Sequence, residues 1–148
     1  MGLAQSGLSN QRVATPVEAL ASGGHIPEAV VSYKISRTAD HLNDGEITFG
    51  GLDPTKFDVN TLVTVNNVSP AGFWQADMDD VSVEGKSLKL GARDTILDTG
   101  TTLMFGPKAD VEALHNLING AKFDGQTFTV PCDLKESVAL TFGARACE

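Results

Sequence analysis

An alternation of apolar and polar residues in the first third of the chain predicts a β-hairpin. Val31, Tyr33 and Ile35 are apolar or aromatic, and the residues between them are Ser and Lys. This period of two is typical of a half-buried strand. Residues 39–45 are rich in Asp, His, Asn and Gly, which favour a turn, and residues 46–49 are the predicted return strand.

The same period predicts further short strands in the rest of the chain. Trp74, Ala76 and Met78 share one face of a predicted strand, whereas Val81 and Val83 continue out of phase with it. Such a shift indicates a bend or a bulge at the two aspartates between them. The other predicted strands cover residues 62–65, 88–90, 95–97, 128–130 and 138–142.

Two helices are predicted from capping residues and from an apolar stripe. Thr15 suits the N-cap position, Pro16 suits the first helical position, and Glu18 completes a capping box. This helix is expected to run through Leu20 and to stop at the glycine pair that follows. A second helix is predicted over residues 110–119. Many short strands with one or two short helices indicate a mainly β domain.

The length and the charge of the chain narrow the classes of function. With 148 residues, the chain is long enough to bury a core. Its net charge of -8, from 19 acidic and 11 basic residues, repels phosphate, so no nucleic acid is expected as a partner. No apolar run is long enough for a membrane-spanning helix, so no membrane partner is expected, and no signal-peptide pattern is present.

Patterns for metal ions and disulfide scaffolds are weak in this sequence. Cys132 and Cys147 are too few for a zinc cage, although they allow one bridge. Asp77, Asp79 and Asp80 lack the other oxygen ligands and the glycine of a calcium loop. They are expected to lie on a solvated strand face. No metal ion and no other cofactor is therefore expected.

The segment with the clearest chemical meaning is Ile-Leu-Asp-Thr-Gly-Thr-Thr-Leu at residues 96–103. Asp98 follows a short apolar strand that is expected to be buried. Gly100 lets the backbone turn and direct an N–H at the carboxylate. A carboxylate that accepts N–H and hydroxyl hydrogen bonds remains ionised more easily. Asp98 is therefore a candidate for holding a water molecule and acting as a general base.

This segment, with the Gly106-Pro107 pair after it, resembles the second active-site motif of pepsin-like aspartic proteases. The resemblance continues in the family's order to about Phe142, and residues 9–11 and 15–20 are most similar to fungal members of the polyporopepsin kind. It implies a mainly β, pepsin-like acid protease fold, with about one lobe of the bilobal β-barrel architecture in this chain. The other segments that carry the resemblance are Gly-Glu-Ile-Thr-Phe-Gly-Gly-Leu-Asp at 45–53, Gly-Phe-Trp-Gln at 72–75 and Phe-Thr-Val-Pro-Cys at 128–132.

The resemblance implies a role for each residue of the motif. Asp98 corresponds to the family's second catalytic aspartate. Thr99 would donate to the hydrogen-bond network that joins the two lobes, and Gly100 would offer its backbone to the carboxylate and to the substrate. Thr101 would hydrogen-bond the outer oxygen of Asp98, while Thr102 and the residues behind it would line the substrate cleft.

The departures from the family pattern concern the other half of the active site. The family uses two aspartates, one from each lobe, around one water molecule, and no other aspartate here precedes Thr-Gly or Ser-Gly. The flap tyrosine of the family belongs to the first lobe, whereas the single tyrosine here, Tyr33, falls in the predicted junction strand.

Residues 1–54 are accordingly expected to form the end of the first lobe and the junction, and residues 55–148 a truncated second lobe. The family's second cysteine in this lobe lies further on, so the resemblance implies no pairing of Cys132 with Cys147.

Three functions remain open from the sequence. The first is an aspartic endopeptidase, in which Asp98 is half of the catalytic dyad and the ligands are polypeptide substrates or pepstatin-like inhibitors. The second is an inactive chain that only binds, because one carboxylate cannot serve as both base and acid. The third is a homodimer that pairs two copies of Asp98. A dyad needs the missing first lobe or a second copy as partner, and the parent family is secreted or vacuolar.

Overall fold

The structure is a computed structural model that describes residues 2–147. Within those residues it is mainly β, with ten short strands and two α-helices, so the predicted fold class is confirmed. The strands are β1 (Val31–Lys34), β2 (Glu46–Phe49), β3 (Gln75–Met78), β4 (Asp80–Val83), β5 (Lys86–Ser87), β6 (Arg93–Ile96), β7 (Lys122–Phe123), β8 (Phe128–Thr129), β9 (Val138–Phe142) and β10 (Arg145–Cys147). The helices are α1 (Pro16–Ser22) and α2 (Lys108–His115).

The chain divides into two compact units. The first contains the residues up to Leu62 together with Pro70–Phe73, and the second contains Val63–Ser69 and the residues from Trp74 onward. The expected assignment of 1–54 and 55–148 to parts of two lobes refers to the architecture of the family and stays a prediction.

The first unit contains α1 and the predicted hairpin. The side chain of Thr15 accepts a hydrogen bond from the N–H of Glu18 at 3.4 Å, and the N–H of Thr15 donates to the Glu18 carboxylate at 2.8 Å. This is the predicted capping box, and α1 ends at Gly23 as expected. In the hairpin, β1 and β2 pair antiparallel, with Val31 opposite Phe49.

The second unit contains the candidate site and most of the core. Its largest sheet has the order β10-β9-β4-β5, and β3 pairs separately with β6. Because β3 and β4 belong to different sheets, the chain bends at Asp79, as the change of parity predicts. The buried apolar residues of this unit are Ala76, Val81, Val83, Ile118 and Ala139.

Two acidic side chains fasten β9 to the ends of β4. The carboxylate of Asp79 accepts the N–H of Ala144 at 2.9 Å, and that of Glu84 accepts the N–H of Ser137 at 2.5 Å. Backbone N–H groups of both acidic residues also donate to the β9 segment. Asp80 accepts the N–H of Leu90 at 3.1 Å. Asp77 and Asp79 are exposed, as expected for a solvated face, whereas Asp80 is half-buried, so the expectation is wrong for Asp80 alone.

Several predicted strand positions are wrong. Residues 62–65 form no strand in the described structure, although their alternation reflects real packing: a Cβ at Gly143 would lie 3.1 and 3.2 Å from methyl groups of Val63 and Val65. Residues 88–90 form no strand either: the N–H of Leu88 still donates to the carbonyl of Val81 at 2.9 Å, but Lys89, with a φ of 57°, then turns the chain. In these two segments the apolar period therefore marks neither strand pairing nor full burial: Leu62, Val63 and Val65 are exposed, and Leu88 and Leu90 are half-buried.

The strand β10 was missed because its side chains are all exposed and carry no apolar pattern. It pairs with β9 through a two-residue turn at Gly143 and Ala144, whose φ angles are 56° and 62°. Two positive φ angles in such a turn match the twist of a hairpin.

The second helix begins earlier and ends earlier than residues 110–119. It covers Lys108–His115, with Asn116 as its C-cap. The N–H groups of Leu117 and Ile118 then donate three residues back, so the apolar stripe continues through tight turns after the helix. Neither this helix nor α1, within the described part of the chain, is long and apolar enough to cross a membrane.

Cys132 and Cys147 are free and exposed, so the bridge that the sequence allows is not formed in the described residues. Within residues 2–147, no three His, Cys, Asp or Glu side chains form a group that could hold a metal ion.

Candidate active site

The Asp98 segment lies on a loop between β6 and α2. The pairing with the neighbouring strand extends one residue past β6, because the N–H of Leu97 donates to the carbonyl of Trp74 at 2.8 Å. Residues 98–107 are then neither helix nor strand. The sequence predicts this location, but the strand before Asp98 is not buried as expected: Ile96 and Leu97 are both about half exposed.

The loop turns so that two donors meet the Asp98 carboxylate. Its Oδ1 accepts the N–H of Gly100 at 2.8 Å, and its Oδ2 accepts the hydroxyl of Thr101 at 2.5 Å. A Cβ on residue 100 would lie 3.1 Å from Oδ1, so glycine leaves the space that the carboxylate occupies. Each carboxylate oxygen therefore has one donor from its own loop and keeps a face open to solvent.

These donors lower the pKa of the Asp98 carboxyl. The Thr101 hydroxyl is the largest cause and the Gly100 N–H is the second, and together they outweigh the opposing effect of desolvation. Both donors stabilise the negative charge, so the ionised form is favoured. An ionised, exposed carboxylate of fixed orientation can accept a proton from a water molecule.

Thr99 and Thr102 are exposed, and their side chains make no hydrogen bond with the part of the chain that the structure describes. The network role predicted for Thr99 and the cleft role predicted for Thr102 stay predictions. Of the four residues predicted around Asp98, Gly100 and Thr101 therefore hydrogen-bond its carboxylate in the described structure, and Thr99 and Thr102 do not.

Three exposed apolar side chains follow the carboxylate on the same loop. Leu103 is more than half exposed, and Met104 and Phe105 are 82% and 83% exposed. Large apolar side chains are costly to leave in water, and contiguous ones mark contact surfaces more often than chance positions do. This end of the loop therefore presents an apolar surface to solvent.

Sequence reasoning missed an ion pair that joins the elements on either side of this loop. Arg93 Nε lies 2.7 Å from Asp110 Oδ2, and Arg93 Nη2 donates to Asp110 Oδ1 at 3.3 Å. Neither residue belongs to a recognisable motif, so the pattern of the chain carries no signal for their pairing.

Comparison of the sequence with known proteins identifies the family of this chain. The sequence matches the profile described as eukaryotic aspartyl protease over residues 1–147. The chain belongs to this family. The resemblance to pepsin-like proteases is therefore confirmed, and the mainly β structure is consistent with a single lobe of the pepsin-like fold.

Individual aspartyl proteases match most of the chain. It is 34% identical to the probable aspartic-type endopeptidase CTSD of Trichophyton verrucosum over 135 residues, which cover 90% of this chain and 26% of that protein. It is 33% identical to the aspartic-type endopeptidase ctsD of Aspergillus fumigatus over 144 residues, 96% of this chain and 30% of that protein. It is 34% identical to human Napsin-A over 145 residues, 96% of this chain and 34% of that protein. The chain thus spans about a quarter to a third of these relatives.

In this member of the aspartyl protease family, Thr101→Val is expected to raise the pKa of the Asp98 carboxyl towards its ordinary value. The substitution keeps the shape of the side chain and removes the donor that contributes most to the lowered pKa. The measurement is a carbon-13 NMR titration of the Asp98 carboxyl. Thr102→Val is the matched control, because the Thr102 hydroxyl makes no hydrogen bond to the carboxylate in the described structure. An unchanged pKa in Thr101→Val would contradict the role of this hydroxyl.

Proposed function

We propose that this chain supplies Asp98 as one of the two carboxylates of an aspartic endopeptidase site. The observation that supports the proposal is an exposed carboxylate, held by Gly100 N–H and Thr101 hydroxyl, in a chain of the aspartyl protease family. The substrate class is polypeptide, and the inhibitor class is pepstatin-like.

The chemistry needs two carboxyl groups in different protonation states. Asp98, whose pKa is lowered, takes a proton from a water molecule while the water oxygen bonds to the carbonyl carbon of the peptide. A second, protonated carboxyl donates its proton to the carbonyl oxygen. The C–N bond then breaks as the amine takes up a proton. Two carboxylates beside one water cannot both remain ionised, which raises the pKa of the partner of Asp98.

The second carboxylate is proposed to come from a first lobe that docks beside the Asp98 loop. Asp98 is the one aspartate of the sequence in an Asp-Thr-Gly or Asp-Ser-Gly context. The exposed side chains of Met104 and Phe105 supply apolar contact area at that end of the loop. Pairing of two Asp98 residues in a homodimer is the alternative source of the dyad, and a secreted or vacuolar location is part of the same proposal.

The test is hydrolysis of a quenched peptide at about pH 3 to 5, where a shared proton is expected, with and without pepstatin and over a series of chain concentrations. The purified monomer is expected to show little turnover, because loss of one acid–base partner removes roughly 10²- to 10⁴-fold of rate. Addition of the first-lobe region of a fungal relative is expected to raise pepstatin-sensitive turnover.

The outcomes separate the alternatives. Turnover that rises with the square of the chain concentration would support the homodimer instead of the docked lobe. Monomer turnover at a rate typical of the family would contradict the need for a second carboxylate from outside the chain. Absence of turnover in every mixture would support the alternative in which the chain is catalytically inactive and acts only by binding.

A further inference from the structure

We propose that Arg93 and Asp110 form a clamp between the strand and the helix that flank the Asp98 loop and act as positioning residues for its carboxylate. The proposal rests on the function proposed above, because it concerns the precision of the same site. Arg93 lies at the start of β6, and Asp110 lies in the first turn of α2. The pair therefore joins the element that enters the loop to the element that leaves it.

The ion pair is a two-point contact, which fixes the relative orientation of the two side chains as well as holding them together. Two guanidinium nitrogens of Arg93 reach the two carboxylate oxygens of Asp110, at 2.7 and 3.3 Å. A planar fork against a carboxylate fixes the relative orientation of the two groups, which a single contact to an ammonium does not. The Asp110 side chain is only 16% exposed, so solvent competes less for it than for a free surface carboxylate.

Both ends of the clamp are themselves held in place. The backbone of Arg93 lies opposite Met78 in the pairing of β3 with β6. On the other side, the N–H groups of Asp110 and Val111 both donate to the carbonyl of Pro107 at 3.0 Å. Holding the Asp110 side chain therefore also holds the last residue of the loop.

The loop between these ends has few other fastenings. From residue 98 to residue 106, the described structure shows hydrogen bonds only within the Asp98 turn. A segment with so few fixed groups samples many conformations unless its ends are held at a set separation. By holding α2 against β6 the clamp limits that separation, and it thereby favours the turn in which Gly100 and Thr101 meet Asp98.

The two members of the clamp each favour the charged form of the other. The Arg93 guanidinium is the largest cause of a lowered pKa of the Asp110 carboxyl, and Asp110 in turn raises the pKa of Arg93. Asp110 therefore keeps its charge to a lower pH than an unpaired aspartate does, which favours the contact in acid.

The test uses the full chain with Arg93→Gln and, separately, Asp110→Asn, and it measures two properties of the site by NMR. The pKa of the Asp98 carboxyl is expected to rise towards its ordinary value. Hydrogen exchange of the Gly100 amide is expected to become at least about tenfold faster, because the turn opens more often. The exchange rate of the Leu140 amide in β9 should stay unchanged, which separates loosening of the loop from loss of the fold.

Two further variants give the controls. Glu112→Gln removes the exposed Lys108–Glu112 pair of the same helix, at 3.7 Å, and should change neither property. The double exchange of Arg93→Asp with Asp110→Arg restores an ion pair at the same place and should recover part of the lost protection. Unchanged Asp98 pKa and Gly100 exchange in both single variants, or equal acceleration at Leu140, would overturn the proposal.

These measurements need no turnover, so they stand even if the proposed peptidase activity fails. In an assembly that does hydrolyse peptide, Arg93→Gln is expected to lower kcat about tenfold with little change in KM, because substrate contacts remain while the carboxylate is misplaced. Loss confined to KM would contradict a positioning role.

Discussion

Replacement of Asp98 by Asn is expected to abolish pepstatin-sensitive hydrolysis in any assembly that contains this chain. The amide keeps the size of the side chain, but it cannot take up a proton from water, and general acid–base assistance contributes roughly 10²- to 10⁴-fold. The fall in kcat/KM should therefore be at least about 10²-fold. The measurement is quenched-peptide hydrolysis in acid, with the first-lobe region of a relative present.

The matched control for this substitution is Asp94→Asn. Asp94 is an exposed aspartate on β6, and the change removes the same charge close to the loop. The activity of Asp94→Asn should equal that of the parent chain. Both variants should unfold at about the same temperature as the parent chain. Cleavage by Asp98→Asn at the parent rate would show that Asp98 is not the base.

The second large effect is expected from Val83→Ala, which should lower the free energy of unfolding of the second unit by about 2 kcal/mol. Val83 is 3% exposed and belongs to the small group of buried apolar residues around β4. Removal of two buried carbons loses about 0.8 kcal/mol for each, and incomplete collapse of the space adds a further cost.

Urea unfolding followed by circular dichroism measures this loss as a lower midpoint. Val130→Ala is the matched control, because Val130 is 39% exposed and its substitution should change stability by less than about 0.5 kcal/mol. Equal shifts in the two variants would contradict the assignment of the core to β4 and its neighbours.

Features set by neighbouring residues are predictable from this sequence. Two examples are the capping box of Thr15 and Glu18 and the turn from Asp98 to Gly100. Each depends on groups two or three positions apart, so the local sequence is enough to predict it. The hairpin of β1 and β2 follows from alternation and a polar turn in the same way.

Features that depend on distant partners are not predictable from pattern. The Arg93–Asp110 contact joins residues of ordinary surface type, and only the folded loop brings them together. The strand β10 needs the edge of β9 and carries no apolar alternation. Residues 62–65 have the alternation of a strand but pair with no other strand in the described structure, and the side chains of Val63 and Val65 lie beside Gly143 instead.

The two carboxylates that fasten β9 to β4 also bear on where the chain can change its length during evolution. An extra residue between Asp79 and Glu84 would move one of these anchors and turn Val81 or Val83 out of the core, because neighbouring strand positions face opposite sides. The segment between Glu84 and Ser137 begins and ends at the hydrogen bond that joins these two residues. It contains exposed turns such as Asp124–Thr127. Lengthening a surface turn costs little closure entropy. Insertions and deletions among relatives are therefore expected to collect in those turns.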